Sequence, residues 1–419
     1  MSKKKVYASC QLADQEVRLV ILEIFEGRFN VLRVERVACS GIQNQKIVDE
    51  GAVVQAIRKA TTNATAALGY RIERVILNVP SIDVHRANQK VHVQVEDGTK
   101  HIRLFHVQQG LNRAIQKKMN DDVELVNVDR IRYVIDGRET DKMPVSQDID
   151  AFDMNVDLLY ADKETIYSYA RCVEQANLEI MDCFLDSYSI AQESAVQVKS
   201  EDRPMIQLDL DQQHCTLTLF VDGRMYSCAT LEEGYLSFIK EIQEKHALDD
   251  ETCFRLLQNV FNTSVDPDAD KTIYIEQRED SRVEITAYEL TTTVIDNMKA
   301  WIKKINETCE PILNQGKASY LLTGKGANIS ILNDLLDQFN SGASIYQPVH
   351  IGARDASYVC CLGSFYAYND INKIRRSDKI SVNNNELGAS IEAINQKPSR
   401  QGDGGFTKKL KSVILTEEE

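Results

Sequence analysis

Between Pro204 and Ser227 the chain reads as strand, tight turn, strand. Met205-Ile206-Gln207-Leu208-Asp209-Leu210 is followed by Asp211-Gln212-Gln213-His214 and then by Cys215-Thr216-Leu217-Thr218-Leu219-Phe220-Val221. Apolar residues alternate in both arms, and Asp222-Gly223 is a hairpin signal leading to a third strand from Arg224 to Cys228. The stretch therefore demands a sheet that opens on a meander, with a polar turn at one end. That turn contains no glycine. A turn that wraps a phosphate uses glycines to aim successive backbone N–H groups at it, and this one lacks them.

A chain of 419 residues exceeds one small core, so two or more domains are expected. A net charge of −14 argues against a general nucleic-acid binder, which needs a basic face. Met-Ser-Lys-Lys-Lys leads directly into a strand-like segment, and no apolar run reaches membrane-spanning length, so a cytosolic chain is expected. Ten cysteines include no Cys-x-x-Cys pair and lie in apolar patterns, as reduced core thiols do. The seven histidines show no His-Glu-x-x-His spacing, and no Ser-His-Asp set or catalytic carboxylate pair can be argued from position.

Along the chain, residues 6–35 read as a three-strand meander, followed by a helix from Asp49 to near Gly69 and a buried strand from Arg74 to Pro80. Residues from about 83 to 161 read as a separate α+β unit with a helix from Val107 to Met119. A helix from Lys163 to Ala176 and a strand at 179–185 return to the α/β pattern. The second half opens on the meander at Met205, continues through a helix from Tyr235 to Glu244 and a polar variable region, and carries a long helix from Leu290 to Glu307 with Trp301 on its core face. It closes on a strand at 318–322, a turn Thr323-Gly324-Lys325-Gly326 and a helix to Phe339. Both halves repeat one logic, so the chain reads as a tandem duplication with inserts.

The order of these elements, with several local sequences, resembles the bacterial cell-division protein family FtsA, within the actin-like ATPases. The carrying segments are Gly27 to Leu32 with Lys46 to Asp49, Tyr133 to Gly137, Arg171 to Ile180, Leu208-Asp209 to Gly223, Leu322 to Ala327 and Ala356 to Gly363. The resemblance implies an α/β, actin-like two-lobed fold of duplicated α/β domains with a small inserted α+β (SHS2-like) domain. The expected division is lobe I in residues 1–83 and 163–203, the inserted domain in 84–162, and lobe II in 204–350 with a variable subdomain at 235–285. A closing helix at 351–376, a disordered linker at 377–404 and an amphipathic helix at 405–419 complete it. The linker expectation rests on composition, which is rich in Asn, Ser, Gln and Gly.

The phosphate turns depart from the family pattern. Where the family has Asp-Ile-Gly-Thr this chain has Gln11-Leu12-Ala13-Asp14, with Glu16 where a cation is usual. The second turn keeps Asp209 and loses its glycines, and Asp211 would repel a polyphosphate. The adenine-side turn keeps Thr323, Gly324, Gly326 and Ala327, with Lys325 in place of a glycine. Efficient ATP hydrolysis is not expected, because two of the three turns lack donors for the transferred phosphoryl group. Two readings of the cofactor stay open: none, or ATP with Mg²⁺ held through Asp209, Thr323, Gly324, Gly326 and Ala327. Each residue also has a structural reading, Asp209 as a turn aspartate and the glycines as strand-to-helix turn residues. A Walker A loop is excluded, since Ser319 stands where its first glycine belongs.

The C-terminal segment carries its own signal. Placed on a helix, Phe406, Leu410, Val413 and Ile414 form one apolar stripe and Lys408, Lys409 and Lys411 lie off it. A short helix of this kind binds an anionic bilayer weakly, at about 1 kcal/mol per lysine, so firm attachment needs many linked copies. The resemblance then implies an adaptor that tethers FtsZ filaments to the inner face of the plasma membrane and self-polymerises. The FtsZ C-terminal peptide would dock on about 235–285. The alternatives are a nucleotide-driven actin-like ATPase and an actin-like scaffold in another membrane process, such as pilus assembly.

Overall fold

Two five-stranded sheets of the same topology frame the computed structural model, which describes residues 4–95, 98, 100–117, 119–267, 270–278, 282–383 and 385–387. The first begins with β1 (Lys5–Ala13), β2 (Glu16–Phe25) and β3 (Arg28–Ala38), an antiparallel meander. A two-residue ladder, β4 (Ile42–Gln43) with β5 (Lys46–Ile47), leads to α1 (Glu50–Leu68) and β6 (Arg74–Val79), which pairs parallel to β1. The Asp49 side chain accepts the Ala52 N–H at the start of α1, and Gly69 ends it at φ 79°. Both are the chemistry of a helix cap, and Val53, Ile57, Ala60 and Ala64 face the sheet between them.

A second unit is inserted here: β7 (His85–Gln94), α2 (Leu104–Ile115), β8 (Val123–Ile135), β9 (Arg138–Thr140) and β10 (Ala151–Asp162). Its strands run in the order β7-β10-β8-β9. Val107, Leu111 and Ala114 of α2 close one face over Val93, Met154, Val156 and Leu158. The helix comes close because Gly110 lies against Met154 and Val93, where a Cβ would collide with both side chains.

The chain then returns to the first sheet through α3 (Lys163–Gln175) and β11 (Glu179–Leu185), which pairs parallel to β6. After α4 (Asp186–Glu193) and α5 (Val196–Lys199), the second sheet opens with β12 (Met205–Leu210), β13 (Cys215–Val221) and β14 (Arg224–Leu231). A 3₁₀ turn at Tyr235–Phe238 precedes α6 (Lys240–His246), α7 (Asp250–Gln258), the hairpin β15 (Thr272–Gln277) with β16 (Arg282–Thr286), and the long α8 (Ala287–Leu313). Trp301 is buried on α8 between Phe238 and Phe339. β17 (Ser319–Thr323) and β18 (Ala343–Ile345) complete the sheet, and α9 (Val359–Arg375) follows.

The sheet orders are β3-β2-β1-β6-β11 and β14-β13-β12-β17-β18. In each, a meander supplies three strands and two parallel strands extend the third side. The duplication read from the two meanders is therefore present in the hydrogen-bonded topology. The halves also share a spine: α9 crosses α4 so closely that a Cβ on Gly363 would overlap the Ser189 backbone, and Met205, Phe220 and Leu321 of the second sheet join the first core.

Three expectations are corrected. The helix expected after Gly326 is two 3₁₀ segments, Lys325–Asn328 and Ser330–Gln338. The closing helix expected over 351–376 begins only at Val359, after a 3₁₀ turn whose start is capped by Asp355. Within residues 377–383 and 385–387, read as the first part of a disordered linker, Ile380, Ser381, Val382 and Leu387 are packed. Ser381 donates its N–H to Val6 O, accepts from Glu73 and Arg74 N–H groups, and takes the Ala8 N–H on its Oγ at 2.8 Å. Ile380, Val382 and Leu387 are buried in the first core. Only three apolar residues anchor this strap, too few for a compositional reading to register. All ten cysteines are free thiols, eight of them buried. Among the described residues no helix is long and apolar enough to cross a membrane.

The strap generates a test. Burying a large aliphatic side chain is worth about 1.5–3 kcal/mol. A chain ending at Arg376 is therefore expected to melt several degrees below one ending at Leu387 in a thermal scan, and equal melting temperatures would deny the strap a role in stability.

Candidate functional site

The two meander turns face each other across the junction of the sheets. β1 and β2 are joined by Asp14-Gln15, a two-residue turn in which Gln15 takes φ 61°. β12 and β13 are joined by residues 211–214, with the Asp211 N–H bonded to His214 O. The third element, Gly324 to Ala327, follows β17, which lies parallel to β12 so that Thr323 pairs with Asp209.

Charged side chains fill the space between these turns. Arg18, on β2 and only 2% exposed, aims one guanidinium nitrogen at both oxygens of Asp211, 3.0 Å from each, and donates from Nε to Glu16 at 2.5 Å. Lys325 Nζ reaches the other Glu16 oxygen at 2.9 Å, and Arg36 lies 3.7 Å from Glu16. His214 Nδ1 meets Asp14 Oδ2 at 2.8 Å, and its other ring nitrogen meets the Gln45 amide at 2.8 Å. Gln45 also donates to Thr216 Oγ1, and its own N–H is accepted by Asp14. Arg36 bonds Asp355, which in turn accepts from Asn328.

The surroundings set the charge states. Burial opposes the charge on Arg18, but Asp211 and Glu16 outweigh it and hold the guanidinium firmly protonated. Burial likewise works against Glu16 and Asp211, yet Arg18 brings both carboxyls below their usual range. Asp209 has no such partner: burial, with Asp211 and Asp186 nearby, pushes it from 3.8 up to about 7. Burial would lower His214, but its bond to Asp14 and the charge there raise it above 6.5.

The family residues of the adenine-side turn are together but inward-facing. Thr323 Oγ1 lies 3.3 Å from Leu208 O and 3.4 Å from Asp209 Oδ1. Gly324, at φ +83°, rests on Asp209 and Leu210, and Gly326 rests on the Leu210 side chain, so a Cβ at either would collide with β12. Ala327 is buried among Ile190, Ala356, Val359 and Cys360. These glycines serve close packing of a turn on a strand.

The ATP and Mg²⁺ that the actin-like fold implies do not fit these residues. The cavity bounded by Gln11, Asp14, Asn78, Asp186, Asp209, Asp211 and His214 measures about 20 Å³. That admits one water. Turn donors are also engaged: the Gln212 N–H goes to Asp211 Oδ1, and the Gln15 N–H to Ile42 O. The wall is lined by Asp14, Asp186, Asp209 and Asp211 and, among the described residues, offers a polyphosphate no free cation. Among the described residues no cluster of His, Cys, Asp and Glu has the geometry of a metal site. Arg18, Arg36, Gln45 and His214 were not singled out in the sequence. The available signal was Arg18 itself, a cation opening an otherwise apolar strand beside Glu16. The residues expected to bind membrane, Phe406, Lys408, Lys409, Leu410, Lys411, Val413 and Ile414, lie outside the described residues.

A pH dependence follows. Asp209 and, at the inserted domain, the buried Asp129 are both raised to about 7. Raised carboxyls mean that the folded chain holds protons the unfolded chain has released, so their stabilising contribution is lost as pH rises from about 4 through 7. His214 adds a loss of the same sign above 6.5. The carboxyls held low, such as Asp355 at about 2, change nothing above pH 5. The melting temperature is expected to fall between pH 5.5 and 8, and Asp209→Asn to flatten that fall; a melting temperature that rises with pH would contradict the burial assigned to Asp209.

No family model matches the chain. It is 22% identical over 381 residues to cell division protein FtsA of Bacillus subtilis, covering 87% of this chain and 83% of that protein. It is 20% identical over 406 residues to FtsA of Staphylococcus epidermidis, covering 96% and 87%. Among solved structures, the PilM-PilN type IV pilus biogenesis complex matches with a TM-score of 0.56 at 11% identity, over 87% of this chain and 98% of that one. MreB 5 of Spiroplasma citri bound to AMPPNP matches with a TM-score of 0.51 at 9% identity, over 89% and 98%. The chain has the actin-like fold and is a divergent, FtsA-like sequence over most of its length.

Proposed function

We propose that this protein is a cell-division membrane adaptor of the FtsA kind. It would tether FtsZ filaments to the inner face of the plasma membrane and assemble with copies of itself. The observation that carries the reading is the extent of the FtsA likeness, 96% of this chain against 87% of the staphylococcal relative. A likeness confined to the sheets would have supported only the fold.

The membrane contact is assigned to Phe406, Leu410, Val413 and Ile414 with Lys408, Lys409 and Lys411, on the helical periodicity of that segment. One such segment binds weakly, so the attachment depends on assembly, which supplies effective concentration. The FtsZ peptide is assigned to the subdomain around 235–285. Phe261, Ile273 and Ile275 are exposed there at 65%, 44% and 55%, and a cavity of about 250 Å³ is lined by Thr252, Arg255, Leu256, Asn259, Ile273 and Tyr274. Exposed apolar side chains within one subdomain are a kind of surface a short peptide recognises.

Two measurements test this. Replacing Phe406 and Ile414 by Glu should move the protein from the liposome pellet to the supernatant, and wild-type binding should rise steeply with protein concentration; retained binding, or a simple hyperbola, would refute the anchor or its avidity. Fluorescence anisotropy with the FtsZ C-terminal peptide should show binding that Phe261→Glu weakens at least tenfold. Tail-dependent membrane binding without any affinity for that peptide would instead favour a scaffold in another membrane process.

A further inference from the structure

We propose that the two lobes of this protein are held together by its own side chains, a clamp built at the phosphate turns, so that its closed arrangement needs no nucleotide.

The clamp is made of contacts that cross from the first half of the chain to the second. Arg18 joins Asp211, Glu16 joins Lys325, Asp14 joins His214, and Gln45 joins both His214 and Thr216. Asp355 adds a sixth link by holding Arg36 on one side and Asn328 on the other. Four of these residues, Asp14, Glu16, Asp211 and Lys325, stand at the positions where the turns depart from the family pattern. Two of them, Glu16 and Lys325, pair with each other, and the other two take Arg18 and His214 as partners.

Charge balance supports the same conclusion. The carboxylates of Asp14, Glu16, Asp211 and Asp355 face Arg18, Arg36, Lys325 and the imidazole of His214. The remaining buried acids of the cavity, Asp186 and Asp209, are driven toward their neutral form by burial. Asp186 accepts from Ser81 and from the Ser187 N–H. The site is thus close to electroneutral as it stands, with no charge left for a polyphosphate and its metal to complete. A nucleotide would have to expel Arg18 from Asp211, leaving a buried carboxylate without its cation. Association through that site is disfavoured by the chain itself.

Hydrogen exchange and thermal melting of the full-length protein, without membrane or FtsZ, test the clamp independently of the proposed function. Wild type is expected to melt at the same temperature with and without 5 mM ATP and Mg²⁺. A rise that grows with ATP concentration would overturn the proposal, because a ligand of the folded state stabilises it by mass action. Arg18→Gln is expected to speed amide exchange at least tenfold in the turns of both halves, 11–16 and 209–216, while β10 and β8 of the inserted unit keep their protection. Should Arg18→Gln fail to fold, Lys325→Met at the rim of the cluster carries the test, since it breaks one cross-lobe pair and leaves Arg18 and Asp211 joined. Faster exchange at both 11–16 and 323–327 supports the clamp; a change confined to the mutated turn overturns it. Glu16→Gln combined with Lys325→Met is expected to cause less than the sum of the two single effects, and strict additivity would show that the pair does not couple the lobes.

Discussion

The buried pair between Arg18 and Asp211 is the interaction on which the arrangement of the lobes turns. Both groups are removed from water, and a guanidinium or a carboxylate left alone there is strongly destabilising. Each can be buried only because the other is present, in a geometry where one nitrogen serves two oxygens. The surrounding groups follow from that pair. Glu16 accepts from Nε of the guanidinium, and Lys325 and Arg36 balance Glu16. Such a cluster adds little net stability compared with an apolar core, but it tolerates few alternative alignments. It specifies how the two sheets meet more than how firmly.

That specificity contrasts with the apolar spine behind it. α4 and α9 cross at Gly363 with no room for a side chain, and apolar residues of the second sheet continue the first core. Close packing of this kind supplies most of the favourable free energy and needs no titrating group. The turns at the front are the reverse, sensitive to protonation at Asp209 and His214. Two kinds of force thus hold the same pair of lobes.

The repeated meanders, the α1 caps and the inserted unit were legible in the sequence, because each rests on local periodicity or on a residue type with one conformational use. Asp49 and Gly69 bound α1 as their chemistry requires. The charge cluster was not legible in the same way. Its partners are separated by as many as 319 residues, as Arg36 and Asp355 are, and no local rule brings such groups together. Asp211 was recognisable as hostile to phosphate, but its actual partner was visible only once β2 and β12 had been placed. The 377–387 strap was missed for a related reason, since its hold on β1 and β6 comes largely from the backbone and Oγ of Ser381. Polar composition conceals bonds of that kind.

The inserted unit grips both lobes at once. Within β8, Asn127 accepts the Leu185 N–H of the first lobe, and Asp129 accepts from Gln197 on one side and from the Met225 N–H of the second lobe on the other. Arg130 donates to Asp222 O, and Arg224 pairs with Asp157 on β10. A body pinned at two points to two supports works as a strain gauge. Any change in the angle between the lobes must stretch one of these bonds or tilt the unit, and a tilt is magnified along the 12 residues of β10. The orientation of the inserted unit is therefore set by both lobes at once, through the side chains of β8.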